Sequence, residues 1–235
     1  MVNKKLNGWD KIYCELGIVQ KEIMPVIKKF SNLLLKRRQK NYKLLDCGCG
    51  TGRHSVFLAN KLLHTQAGQH IQIEALDMSN HAIRIFKNIL QRRNILTKNT
   101  NLHINLSVHD LNKRMPYKRE YFDSLVSTLV IQHGLMSQIK RWCNEMKRVL
   151  KKGGLLSLAV ISTNDPRYNT GKEIEPGTRI NTDQKDGHVP HHFFTDVEIE
   201  NYLFKNFKVL YKKNQRRKSA TANLIARHWE YILKK

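Results

Sequence analysis

The residues with the clearest chemical potential sit in "LLDCGCGTGR", residues 44–53. An apolar run ends in Asp46, and Gly48, Gly50 and Gly52 then alternate with small residues. Glycines in that pattern let a backbone turn approach a ligand closely. Two more acids, Asp77 and Asp110, close later apolar segments, "IQIEALD" and "NLHINLSVHD". Histidines gather further on, at His133 and in "DGHVPHHFF" as His188, His191 and His192. A histidine near its ordinary pKa takes a proton, or holds an anion once charged.

Three ligand types compete for the glycine turn. A phosphate loop needs Lys-Ser/Thr after its glycines, and none follows. A dinucleotide turn reads G-x-G-x-x-G, and here the third glycine comes one residue early. S-adenosylmethionine (SAM) has an adenosine and an amino-acid tail but no phosphate. It asks for close backbone approach and nearby acids. Cys47 and Cys49 form a C-x-C with no second pair at zinc spacing, so no metal is expected. Nor do the four cysteines make a disulfide framework.

The elements that must position these residues alternate. Short apolar runs at 42–48, 71–77, 101–110, 121–131 and 155–162 read as strands. Amphipathic stretches between them read as helices, one with Ser79 as its N-cap. This pattern predicts a parallel sheet covered on both faces, with ligands at the carboxyl ends of its strands. Residues 1–40 read as a helical cap, with Pro25 at a helix start or break. Residues 162–194 are rich in turn chemistry and are expected to be a lid or substrate loop. Residues 195–235 read as a short helix capped by Thr195 and two strands joined by a basic turn, "QRRKS". One domain, 1–235, is expected, with 41–161 as the ligand-binding core.

"LLDCGCGTGRHS" resembles motif I of the class I SAM-dependent methyltransferases, an apolar strand followed by D/E-x-G-x-G-x-G. "FDSLVSTLVIQH" and "NEMKRVLKKGGLLSLAV" resemble that family's fourth strand, the helix after it and a Gly-Gly turn. The likeness runs from about residue 40 to 160. It implies a Rossmann-like fold: a seven-stranded, mostly parallel α/β sheet with helices on both faces and a C-terminal antiparallel hairpin. It implies SAM as cofactor and S-adenosyl-L-homocysteine as product. By the same resemblance Asp46, Gly48, Cys49, Gly50, Gly52 and Arg53 line the methionine end and ribose. Asp77 and Met78 stand at the ribose hydroxyls. Asp110 and Leu111 stand at the adenine, with Ser127 after the fourth strand. "WDKIY" resembles a segment in which an early aromatic, here Trp9 or Tyr13, closes over the donor. Asp77 comes later after the glycines than the family usually has it. Glu74 is its rival, but it lies mid-strand.

The acceptor is less defined. The [DN]-P-P-[YFW] motif of enzymes that methylate exocyclic amines is absent after the fourth strand, where "STLVIQHG" stands. Parts of the chain resemble tellurite-resistance-type and other small-molecule methyltransferases. Other parts resemble tRNA wobble-uridine methyltransferases. The chain carries 42 Lys and Arg against 19 Asp and Glu, a formal +23, and such a field attracts polyanions. Lys36, Arg37, Arg38, Arg92, Arg93, Arg216, Arg217 and Lys218 are the candidate RNA phosphate contacts. His133, His188, His191 and His192 are the candidate acceptor-side residues. The acceptor is therefore expected to be an RNA or a small molecule. The alternative is a methyltransferase-fold binding protein that has lost catalysis. No apolar run approaches the roughly 18–20 residues of a membrane span, and the first residues lack a secretory pattern, so a cytoplasmic setting is expected.

Overall fold

The computed structural model describes residues 8–37, 39–63, 70–93, 101–182, 189–218 and 224–235. Its centre is a seven-stranded sheet of β1 (Asn41–Cys47), β2 (His70–Asp77), β3 (Leu102–Val108), β4 (Phe122–Thr128), β5 (Leu150–Ile161), β9 (Lys208–Lys218) and β10 (Ile225–Lys234). The spatial order is β3-β2-β1-β4-β5-β10-β9. The first five strands pair in parallel, and β10 runs antiparallel to both β5 and β9. The order reverses between β1 and β4. That is the switch point where sheets of this kind leave a crevice at their carboxyl edge.

Alternation along β1 shows why the sheet is covered twice. Tyr42 and Leu44 pack with the helices α2 (Pro25–Leu35), α3 (Arg53–Leu63) and α4 (Asn80–Arg92). Leu45 and Cys47 enter the opposite half-core with Ile139, Cys143 and Met146 of α5 (Met136–Val149). Neighbouring strand residues face opposite sides, so an unbroken apolar run serves both layers. Pro25 opens α2, where its missing N–H costs nothing. Ser79 caps α4, its hydroxyl accepting from the Ala82 N–H at 3.1 Å. Helix α1 (Gly8–Leu16) is pinned across the sheet edge, where Asp10 accepts from the Ser79 hydroxyl at 2.7 Å and the His81 N–H at 3.0 Å.

Three expectations change. The region 162–194 is not only a loop. It contains a small sheet of β6 (Lys172–Glu175), β7 (Thr178–Ile180) and β8 (His191–His192), in the order β6-β7-β8. The expected helix after Thr195 is a short π-helical turn, Glu198–Leu203, although Thr195 does cap it, accepting from the Glu198 N–H at 3.1 Å. The basic "QRRK" is strand, not turn: β9 continues to Lys218. Its charges are compatible with an edge strand, whose outer row of backbone groups faces water. No helix among the described residues is long and apolar enough to cross a membrane.

Gly52 shows how tightly the glycine turn is set. Its φ is +80°, and a Cβ there would lie 2.1 Å from the Phe86 ring of α4. Gly52→Ala combines left-handed strain with overpacking, so it should cost about 2–5 kcal/mol of stability in urea unfolding. A loss under about 1 kcal/mol would mean that the ring moves aside freely.

Candidate active site

The turn after β1 is latched to the end of β2. The Gly48 and Cys49 N–H groups both donate to the Leu76 carbonyl, at 2.8 and 2.9 Å. The Gly50 N–H donates to Asp77 Oδ2 at 2.8 Å, and the Ser79 N–H to Asp77 Oδ1 at 2.9 Å. One carboxylate thus holds the glycine turn and the start of α4. Tyr13 of α1 lies over this turn, and a Cβ on Gly50 would stand 2.6 Å from its hydroxyl. Burial raises the pKa of Asp77, opposed by its backbone hydrogen bonds.

These elements enclose a cavity of about 720 Å³ at the carboxyl edge of the sheet. That lies within the roughly 300–1,000 Å³ of small-molecule sites. Of the residues expected from sequence, Tyr13, Gly48, Cys49, Gly50, Arg53, Asp77, Met78, Asp110 and Leu111 line it, together with His133 and His191. Trp9 lines it too, 4.7 Å ring to ring from His133, which in turn stands 4.7 Å from His191. Burial, and then the neighbouring His191, pull the His133 pKa well below its ordinary value, so its imidazole is neutral. After β3, Asp110 Oδ1 accepts from the Asn112 N–H at 2.9 Å, which turns the chain along the cavity wall.

Other expected residues lie elsewhere. Gly52 packs on Phe86, outside the cavity lining. Ser127 is wholly buried and off the cavity, and the next residue, Thr128, takes the wall position. Glu74 stays in the sheet, hydrogen-bonded to Gln72, Asn105 and Tyr117. His192 is turned away from the cavity. It meets the Thr178 hydroxyl at 2.7 Å and Glu198 at 3.3 Å. His191 and His192 are neighbours on β8, so they face opposite sides. His188 and Arg38 lie outside the described residues.

The basic clusters also separate. Arg37 donates to the backbone carbonyls of Gly153 and Asp123. Arg92, Arg93 and Arg216 are exposed, whereas Arg217 and Lys218 line the cavity. Arg53 also lines it and donates to the Glu22 carbonyl at 2.8 Å. Burial, and then Arg217, lower its pKa to about 10.

Three wall residues escaped the sequence reading. His54 follows Arg53 directly on α3. Its Nε2 accepts from the Met24 N–H at 3.5 Å, which leaves Nδ1 to donate to the Thr128 hydroxyl at 3.0 Å. Arg167 is held by Asp165, with Nε at 2.9 Å and Nη2 at 3.2 Å from its carboxylate oxygens. His228 comes from β10. Adjacency in the glycine motif was a usable signal for His54. No local pattern marks Arg167 or His228: the pairing of β10 brings in His228, and the 3-10 turn after β5, tied to β10 where Asp165 accepts from the Arg227 N–H at 2.7 Å, brings in Arg167. Leu129, at the end of β4, lines the cavity with a φ of +60°, rare for a branched side chain and a mark of local strain.

This topology is shared with solved methyltransferase structures. The structure superimposes on a SAM-dependent methyltransferase of Methanosarcina mazei with a TM-score of 0.71 and 22% identity, over 91% of this chain and 98% of that one. It is similar to TehB of Haemophilus influenzae, with a TM-score of 0.63 and 15% identity, over 97% and 67% of the two chains. An uncharacterized protein of Methanocaldococcus jannaschii is 26% identical over 197 residues, which cover 84% of this chain and 66% of that protein. The match thus spans just under two thirds of that relative's length. The methyltransferase-domain profile fits residues 38–215, and the chain belongs to that family.

Asp46 sits behind the turn, 2% exposed, and its Oδ2 accepts from the Ser55 hydroxyl at 2.6 Å. It does not line the cavity. Burial pushes its pKa up to about 6, partly offset by Ser55 and Arg53. The unfolded carboxyl loses its proton near pH 4, roughly. Between those values the folded chain binds more protons, so this group makes stability fall as pH rises. Asp46→Asn removes that titration. Relative to the variant, the wild type should lose about 2–3 kcal/mol between pH 4 and neutrality, followed by urea unfolding across that range. A pH-independent difference would mean that folded Asp46 is ionised throughout.

Proposed function

We propose that the protein transfers a methyl group from SAM to a small-molecule acceptor and releases S-adenosyl-L-homocysteine. The observation that carries this reading is the Asp77 carboxylate. It sits at the cavity wall, bonded to the Gly50 N–H, with Asp110 and Leu111 on the same wall. In this reading Asp77 accepts from the ribose hydroxyls, while Asp110 and Leu111 border the adenine. Gly48, Gly50 and Arg53 face the methionine end, and Tyr13 covers it. Asp46 acts from behind, by bracing the turn through Ser55.

The chemistry asks mainly for alignment. The acceptor's lone pair forms a bond to the methyl carbon as the S–CH3 bond breaks and leaves its electrons on sulfur. The leaving thioether is neutral and takes no proton. Holding donor and acceptor in line supplies much of the rate acceleration. Where the acceptor atom carries a proton, neutral His133 is a candidate base on the wall, with His191 beside it. Trp9 and Tyr13 line the cavity beside the glycine turn, and a bulky aromatic lining there favours a small acceptor over an RNA chain. The dispersal of the basic clusters supports the same choice. An inactive binding protein remains the rival, and transfer of label from SAM separates the two.

Asp77→Ala should weaken S-adenosyl-L-homocysteine binding about tenfold or more in calorimetry, since it removes a charged acceptor and loosens the Gly50 turn. Far-UV circular dichroism should stay unchanged. Wild-type affinity in that variant would remove Asp77 from the donor site. Failure of the wild type to bind this ligand would end the methyltransferase reading.

A further inference from the structure

The cavity lining carries charges of both signs: Asp77 and Asp110, and the cations Arg53, Arg167, Arg217 and Lys218. The cations are not all matched internally. Arg167 is paired with Asp165. Arg217 has a side chain only 14% exposed, and its one carboxylate contact among the described residues is Glu22 at 3.6 Å. Glu22 is itself 88% exposed there and free to swing into water. Arg53 donates to a backbone carbonyl and forms no ion pair among the described residues. The two guanidinium groups are close enough that Arg217 lowers the pKa of Arg53. Glu230 lies near Arg217 without forming a close ion pair with it among the described residues; burial pushes its pKa to about 7, opposed first by Arg217.

A second group points the same way. His228 is 6% exposed, lines the cavity, and has no partner for Nδ1. Burial lowers its pKa to about 4, so it is neutral and brings no charge of its own. On the β9–β10 ladder Arg217 pairs with Ala226, which makes His228 its diagonal neighbour on the same face. Both strand ends reach the site because β9 runs parallel to β5. A guanidinium withdrawn from water without a partner is costly, and an anion recovers that cost. Its planar fork fits carboxylate and phosphate oxygens in pairs. Arg53 follows the glycine turn directly and is the natural partner of the donor's own carboxylate. Arg217 stands beyond it, on an element outside the donor-binding core.

Resting on the methyl-transfer reading, we propose that Arg217, with His228 beside it, holds an anionic group of a small-molecule methyl acceptor, a carboxylate or a phosphate. The anion anchors the acceptor against the basic lining while its nucleophilic atom bonds to the methyl carbon. The S–CH3 electron pair goes to sulfur. Any proton on the attacking atom passes to His133 or to solvent. Exposed Arg216, on the opposite face of β9, plays no part.

The test uses the full chain saturated with S-adenosyl-L-homocysteine and titrated with benzoate, phenyl phosphate and uncharged benzamide. One or both acids should bind at least about tenfold more tightly than the amide. The better acid identifies the anion as carboxylate or phosphate. Arg217→Gln should abolish the preference with S-adenosyl-L-homocysteine affinity unchanged, and Arg216→Gln should keep it. Equal binding of the three probes, binding of none, or a preference that survives Arg217→Gln overturns the proposal. Loss of S-adenosyl-L-homocysteine affinity in Arg217→Gln also overturns it, by assigning Arg217 to the donor's carboxylate. Transfer of label from SAM into RNA rather than into small acids overturns it as well. A wild-type chain that binds no S-adenosyl-L-homocysteine fails earlier, at the methyl-transfer reading itself.

Discussion

The Asp77 carboxylate is the constraint on which the site depends. It accepts from Gly50 on one side and from Ser79 on the other, so the β1 turn and the start of α4 share one anchor. Ser79 carries the network on by donating to Asp10 of α1. Turn, helix start and roof are thereby placed relative to one buried charge. Such a network is strong only while each member is satisfied. Asp77 still has acceptor capacity beyond its backbone bonds, since a carboxylate offers about four lone-pair sites. The group that orders the crevice is therefore also available to a ligand.

Most of the core was legible because its signals are local. A strand that ends in Asp and glycine, a helix capped by Ser79, and acids after the next strands depend on residues close in sequence. The second half was harder. Strands β6, β7 and β8 are two to four residues long and carry little apolar alternation, so "KEIE", "TRI" and "HH" look like loop. The basic end of β9 reads as a turn because its charges hide its pairing with β10. Strand alternation then decides what charge counting cannot. His191 faces the cavity and His192 a buried pairing with Glu198. Arg217 faces the cavity and Arg216 faces water.

Net charge does not by itself point to a polyanionic partner. Several cations serve the fold instead of a polyanion. Lys235 Nζ donates to the Lys147 and Leu150 carbonyls at the end of α5, where a positive charge suits the helix dipole. Arg148 braces the Met115 and Tyr117 carbonyls and pairs with Glu145. Arg37 is spent on carbonyls in the same manner. A formal +23 therefore does not measure the surface charge presented to a partner.

In the proposed reading, donor and acceptor are held by different parts of the chain. The wall with Asp77 and Asp110 grows out of consecutive strands of the parallel sheet, so it follows from the fold itself. Other parts of the lining come from the segment between α1 and α2, the 3-10 turn that holds Arg167, strand β8, and the ends of β9 and β10. None of these is needed to close the parallel sheet. Each can change its side chains with little effect on the glycine turn, because they meet the crevice from outside the Asp77 network. On the proposed reading, such a fold can keep one donor site while the rest of its cavity lining varies. In this chain that remaining lining is basic, and Arg217 lies on the edge strand, farthest in the sheet from the strands that lead to Asp77 and Asp110.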